Sequence, residues 1–361
     1  MVEPPTPGAT WIDLPEPLRQ PAEVLVEVIE CGICGTDRDI ASGKYGTPPE
    51  GSTRLILGHE NFGRVVQAPS SSALSPGDLV VATVRRGCGI CRFCNSGRSD
   101  FCETGRFTER GIRGRDGYLT SSYTEIPEYL VRVPPALRSH AVLLEPLSVV
   151  EKAILEGQSI LDRFEPTPGF PRERPRRALV TGTGAIGMLA SLVLSSEGYE
   201  VTAIDRHDDA TPAAKLLETV GAHHVNVHEG LSALGDSRYD LVLEASGSAL
   251  LDFELVSYLA PNAVLVLTGI PSADDPAFPV SGGRVLRELV LENQAIVGSV
   301  NANRLYFERG ITHLLAFRQR WGPVVERLIT ERRPASEFAE PLLGKSASAI
   351  KTVLTFDGAG R

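Results

Sequence analysis

The chain has 361 residues, 42% hydrophobic and 22% charged, an ordinary globular balance with enough length for two domains and a core that needs no staples. A formal net charge of −9 removes any electrostatic reason to expect nucleic acid or an anionic membrane as partner. No early segment joins a basic start to an apolar core and no apolar run approaches ~20 residues, so no membrane span is expected and a cytoplasmic setting with reduced thiols is.

The first 20 residues are proline-rich and leave room for only a short first strand. Val24 to Ile29 then alternates apolar and acidic residues, the signature of a half-buried strand. C-G-I-C-G-T-D follows at 31–37 and L-G-H-E at 57–60. Ser75-Pro76-Gly77-Asp78 predicts a turn before a strand at Leu79 to Ala82. Short strands, turns and no long amphipathic helix make residues 1 to 140 a β-rich domain.

All the cysteines fall early: Cys31, Cys34, Cys88, Cys91, Cys94 and Cys102. A disulfide framework would spread across the chain, whereas this clustering points to metal chemistry. Cys88-x2-Cys91-x2-Cys94-x7-Cys102 brings four thiols into one short stretch, and four thiolates close a tetrahedral zinc cage with no vacant position, a structural site. An iron–sulfur cluster is disfavoured because the C-x3-C-P continuation is absent, and a nucleic-acid-reading zinc ribbon by the acidic chain. Cys34, His59 and Glu145 are too far apart for spacing to unite them. Singly they read as a small buried residue, a satisfied core histidine and a solvated carboxylate.

Leu143 to Leu161 is the first convincing helix and connects the two halves of the chain. The polar, proline-rich run from Asp162 to Arg177 reads as a surface loop. Ala178 to Thr181 is a short apolar strand leading into Gly182, Gly184 and Gly187 in G-x-G-x-x-G spacing. The loop is Gly182-Thr183-Gly184-Ala185-Ile186-Gly187. From Ile186 an apolar stripe through Leu189, Ala190, Val193 and Leu194 predicts a helix that Gly198 ends, and Val201 to Ile204 delivers Asp205.

This order of strand, glycine turn, helix, strand and acid is a dinucleotide-binding unit. Gly182 permits the turn, Gly184 lets backbone approach a pyrophosphate, and Gly187 allows helix to pack on strand, with the helix N-terminus facing the phosphate charge. A carboxylate at Asp205 favours NAD, since a 2′-phosphate there would meet a like charge. Arg206 and His207 follow directly and offer partners to such a phosphate, so NADP is the alternative. Apolar runs at Val225 to Val227, Leu241 to Leu243, Ala263 to Leu267 and Ala295 to Val297 bring the strands to the set of a doubly wound parallel sheet. A helix near Phe317 to Thr330 and a last strand at Ile350 to Phe356 complete the chain.

G-I-C-G-T-D, G-H-E, the four-cysteine lobe, P-G-D and G-T-G-A-I-G, in this order, resemble the zinc-dependent medium-chain alcohol and polyol dehydrogenases over nearly the whole chain. C-G-T-D-R-D-I-A-S-G-K, R-R-G-C-G-I-C-R-F-C, F-C-E-T-G, E-P-L-S-V-V-E-K and I-V-G-S-V-N-A-N look like its glucose dehydrogenase branch. The resemblance implies an α/β fold with a β-rich part: a GroES-like catalytic domain over 1–150 carrying the zinc lobe at 88–102, a Rossmann domain over 151–300, and a return to the catalytic domain over 301–361, with the active site in the cleft. It implies that Cys34, His59 and Glu145 hold a catalytic zinc, and that Glu60 enters its shell or gives way to water. Thr36 would begin the proton path and Asp37 orient His59. Cys31 matches no role and reads as core.

The implied activity is hydride transfer between a sugar or polyol hydroxyl and NAD, or NADP, by a homodimer or homotetramer. Val84, Val149 and Tyr306 depart from the branch where substrate contact is expected, which points to a glucose-like aldose or to a cyclitol or modified sugar. A secondary-alcohol or amino-alcohol dehydrogenase is the nearest alternative. A silent dinucleotide-binding protein is a further one, opposed by the presence of every expected ligand.

Overall fold

A computed structural model describes residues 1–164, 174–208, 210–272, 276–344 and 349–356. Most of the loop expected at 162–177 lies outside the described residues. The chain divides into two compact units: Met1–Ser148 with Asn301–Leu315 and Val325–Arg361, and Val149–Val300 with Ala316–Val324. Among the described residues no helix is long and apolar enough to cross a membrane.

The first unit is built on the strand Val24–Ile33. It pairs antiparallel with Glu60–Gln67, Lys351–Thr355 and Ser122–Glu125, and the seven-stranded sheet is completed by Ile329–Pro334, Leu79–Ala82 and Leu130–Arg132. The alternation at 24–29 marks only the start of this strand. Cys31, Gly32 and Ile33 continue it because Leu354, Val353 and Thr352 supply partners from the far end of the chain. Val24, Val26, Val28 and Cys31 pack with Val65, Val80, Tyr118 and Tyr123 into an apolar core, so Cys31 is a core residue.

A three-stranded sheet, Arg85–Arg86, Thr108–Arg110 and Gly114–Arg115, borders the cysteine lobe. Buried Glu125 accepts from Arg86 at 2.5 Å and from Arg110 at 2.9 Å, which neutralises a carboxylate that would otherwise be costly inside. The returning chain is stitched to this region: Asn301 donates to Glu109 at 2.8 Å and Asn303 to Asp100 at 2.9 Å.

The second unit is a six-stranded parallel sheet in the order His223–Asn226, Glu200–Asp205, Arg177–Thr181, Tyr239–Glu244, Leu259–Leu267, Ala295–Gly298. This is the doubly wound order that reverses beside the first strand. Its helix Ala185–Ser196 is buried from Gly187 to Ser195, because a parallel sheet needs apolar cover on both faces. Each expected apolar run falls on a strand, although the strand at His223–Asn226 ends one residue before the Val225 to Val227 run does.

One element needs correction. The helix expected from Phe317 to Thr330 runs instead from Arg304 to Trp321. Gly322 and Pro323 end it, with Pro323 outside helical geometry, and Ile329 and Thr330 begin a strand that pairs with Lys351–Thr355. The early half was hidden in sequence because Arg304, Glu308, Arg309 and His313 blur the apolar stripe.

Candidate active site

Cys34 closes the strand Val24–Ile33 and caps the helix Gly35–Ala41, whose third residue is Asp37. Fully buried Asp37 ties three segments together. It accepts from the Cys34 amide at 2.9 Å and from the Gly58 amide at 3.1 Å, and faces His59 Nδ1 at 3.4 Å. Burial raises the Asp37 carboxyl, but the His59 charge and hydrogen bond and the Cys34 amide overcome that and hold it low. The imidazole is thereby fixed with Nδ1 toward the acid.

The result is a convergence that sequence spacing does not reveal. The ligating atoms of Cys34, His59 and Glu60 lie within 4.8 Å of one another, each side chain buried or half-buried. Sulfur, imidazole nitrogen and carboxylate oxygen form the donor set that zinc accepts, which fits the ion the motifs imply. Glu145, in the first turn of the helix Leu144–Leu161, is buried but stands outside that group of three. Burial pushes its carboxyl up to about 7, with His59 opposing and Glu60 adding to the shift.

Lys351 is a participant that the motifs missed. Its ammonium is buried, ion-paired with Glu60, and donates to the Ile33 carbonyl at 3.1 Å. The available signal was one lysine in the otherwise uncharged run A-I-K-T-V-L-T-F. Thr36 is half-buried on the same short helix, near the Tyr45 phenol. Val84 and Tyr306 are buried, and Val149 is half-buried.

Cys88, Cys91, Cys94 and Cys102 also converge within 4.8 Å. The sulfurs of Cys88 and Cys94 are 3.8 Å apart. That matches the edge of about 3.8 Å in a tetrahedron with ~2.3 Å metal–sulfur bonds, so the lobe fits a closed zinc site. Hydrogen bonding to Thr104 draws the Cys88 thiol down to about 6, whereas burial pushes Cys94 up to about 12.

In the second unit the glycine loop joins Arg177–Thr181 to Ala185–Ser196. Gly182 has φ of +83°, and a Cβ on Gly187 would collide with the Gly182 carbonyl oxygen and sit 3.3 Å from Val180 Cγ1. The turn thus excludes a side chain at 187, where the helix packs closest on it, a shape suited to pyrophosphate. Thr183 donates to the Asp205 carboxylate at the end of the adjacent strand. Ala185 and Ile186 open the helix, and Arg206 is exposed.

The two units reproduce the architecture of the medium-chain dehydrogenases. Residues 20–135 match the family described as alcohol dehydrogenase GroES-like domain, and residues 138–356 match the glucose dehydrogenase C-terminus. The glucose 1-dehydrogenase of Methanocella arvoryzae is 40% identical over 92% of this chain and 92% of its own, and that of Metallosphaera sedula is 36% identical over 98% and 97%. Among solved structures, glucose dehydrogenase from Haloferax mediterranei, in complex with NADP, zinc and gluconolactone, superposes with a TM-score of 0.85 at 33% identity, covering 96% of this chain and 95% of that one. The chain belongs to the glucose dehydrogenase family of medium-chain dehydrogenases.

Proposed function

We propose that the protein is a zinc- and NAD(P)-dependent sugar dehydrogenase that oxidises a cyclic aldose at its anomeric carbon to the lactone. The observation that carries this reading is the convergence of Cys34, His59 and Glu60 around Asp37 in a chain 40% identical to a glucose 1-dehydrogenase. The relative solved with gluconolactone supports the anomeric carbon as the reacting position.

Cys34 and His59 would hold the catalytic zinc together with Glu60, whose oxygen already converges on them, and with Glu145, the ligand that the family resemblance implies; the four lobe cysteines would hold a structural zinc. The loop 182–187 holds the dinucleotide pyrophosphate. When bound, zinc supplies Lewis acidity that eases deprotonation of the sugar hydroxyl, and the nicotinamide supplies the hydride acceptor. Thr36 takes the hydroxyl proton and passes it outward. Asp37 keeps the His59 ring in one orientation, the usual task of a carboxylate behind a ligating histidine. Lys351 balances the charge of Glu60 and restrains its carboxylate.

The edge strand Ala295–Gly298 and the neighbouring helix Gly282–Leu291 expose Ile296, Leu286, Val290 and Leu291. An open edge flanked by apolar side chains is a surface that proteins cover. A homodimer formed there is the expected assembly, in a cytoplasmic enzyme, and mass by light scattering checks it.

The deciding experiment follows reduced-cofactor absorbance with zinc-replete protein, NAD or NADP, and a panel of aldoses, cyclitols and simple alcohols. Turnover of glucose or a close aldose is expected. Activity confined to aliphatic alcohols would overturn the sugar reading. Turnover of a cyclitol but no aldose would keep the apparatus and assign Val84, Val149 and Tyr306 to a changed pocket.

A further inference from the structure

Asp205, whose bare carboxylate would favour an unphosphorylated ribose, is already heavily engaged. Its strand lies beside His223–Asn226 in parallel register, Ala203 opposite His224 and Asp205 opposite Asn226. Oδ1 accepts from the His207 amide at 2.8 Å and lies 3.0 Å from His224 Nε2. Oδ2 accepts from the Thr183 hydroxyl and faces His207 Nδ1 at 3.3 Å. A carboxylate offers about four acceptor sites, and these neighbours address all of them. Burial raises the Asp205 carboxyl, and the bonds from Thr183, the His207 amide, His224 and the His207 ring overcome that and hold it low.

The side chains differ in burial. His224 is 6% exposed and Asp205 6%, so this contact is enclosed, whereas the His207 ring is 53% exposed and reaches the carboxylate from the solvent side. Arg206 lies between Asp205 and His207 in sequence and is exposed. An acid surrounded in this way presents no free oxygen to a ribose hydroxyl, and its negative charge is partly offset by the donors aimed at it before any phosphate arrives.

We infer that His224, with His207, is the positioning residue that sets cofactor choice: by committing the Asp205 carboxylate it lets the site accept an adenosine ribose bearing a 2′-phosphate. The inference rests on the dinucleotide reading of the glycine loop. His224 touches no cofactor in this scheme and acts through Asp205.

Calorimetric titration of the full chain with adenosine 2′,5′-bisphosphate and with 5′-AMP separates the parts without relying on turnover. The wild type is expected to bind both, with affinities within about tenfold. His224→Ala should weaken the bisphosphate relative to AMP by about tenfold or more, the scale of one hydrogen bond to a charged group. His224→Gln, which keeps an N–H donor, should restore the wild-type ratio, and in an Asp205→Asn background His224→Ala should no longer change it. His207→Ala leaves a surface ring missing and should shift the ratio in the same direction, which decides the matter if His224→Ala does not fold. A ratio unchanged in both histidine variants overturns the inference, as does a His224→Ala effect that persists without the Asp205 charge. Binding of neither probe by the wild type overturns the dinucleotide reading itself.

Discussion

Lys351 and Glu60 form an ion pair in the interior of the first unit, their side chains 3% and 2% exposed. The two residues come from opposite ends of the chain, on strands that each flank Val24–Ile33. A buried pair of this kind is held by mutual need, since either charge alone would be left in a low-dielectric core.

Lys351→Met should therefore destabilise the protein by about 3–5 kcal/mol, the usual cost of stranding one partner of a buried pair. Adding Glu60→Gln should recover part of that loss, because the stranded charge is gone. Denaturant midpoints of the two single variants and the double variant check this. Simple additivity would mean that the pair is not coupled.

The lobe and the Cys34 cluster should load zinc independently. Metal analysis of the wild type is expected to give two zinc per chain, and Cys94→Ser one, with a lowered unfolding temperature because a structural zinc site contributes folding energy directly. Two zinc retained in Cys94→Ser would remove the lobe as a metal site.

Thr36→Val removes the hydroxyl assigned to the proton path while keeping the shape of the side chain. With zinc content unchanged, kcat should fall by about 10²-fold or more, the scale of a lost acid–base group. A kcat near that of the wild type, measured at saturating sugar and cofactor, would place the proton path elsewhere.

Asp252 gives stability a pH dependence. Burial and the charge of Glu244 push its carboxyl from 3.8 up to about 7 in the folded chain. Between those values the folded state keeps a proton that the unfolded state has released, so stability falls as pH rises from about 4 to about 7. Asp252→Asn should be more stable than the wild type above pH 7, with the gain shrinking toward pH 4. Urea midpoints at pH 4.5, 6 and 8 test it, and a gain that does not change with pH would contradict this origin. Because Asp252 is only half-buried, solvent screening keeps the effect small.

Much of the chain was legible from short strings. Thr183 and Gly187 lie within one loop, and the four lobe cysteines within one turn-rich stretch, so local spacing already contains their geometry. The parallel sheet announced itself through apolar runs, since strands covered on both faces need no alternation. The helix Arg304–Trp321 was misplaced because its charged residues obscure the period.

By itself, then, the sequence determined the glycine loop, the four-sulfur lobe, the acid at Asp205 and the β-rich and doubly wound halves, because each depends on residues a few positions apart. Only the tertiary structure decided that Cys34, His59 and Glu60 meet, that Lys351 neutralises Glu60 while bonding to Ile33, 318 positions away, and that His224 occupies Asp205 from the neighbouring strand. The physical reason is that sheet register and burial create these contacts. Pairing brings distant strands side by side, and desolvation then makes each buried charge dependent on a partner that no spacing in the sequence could name.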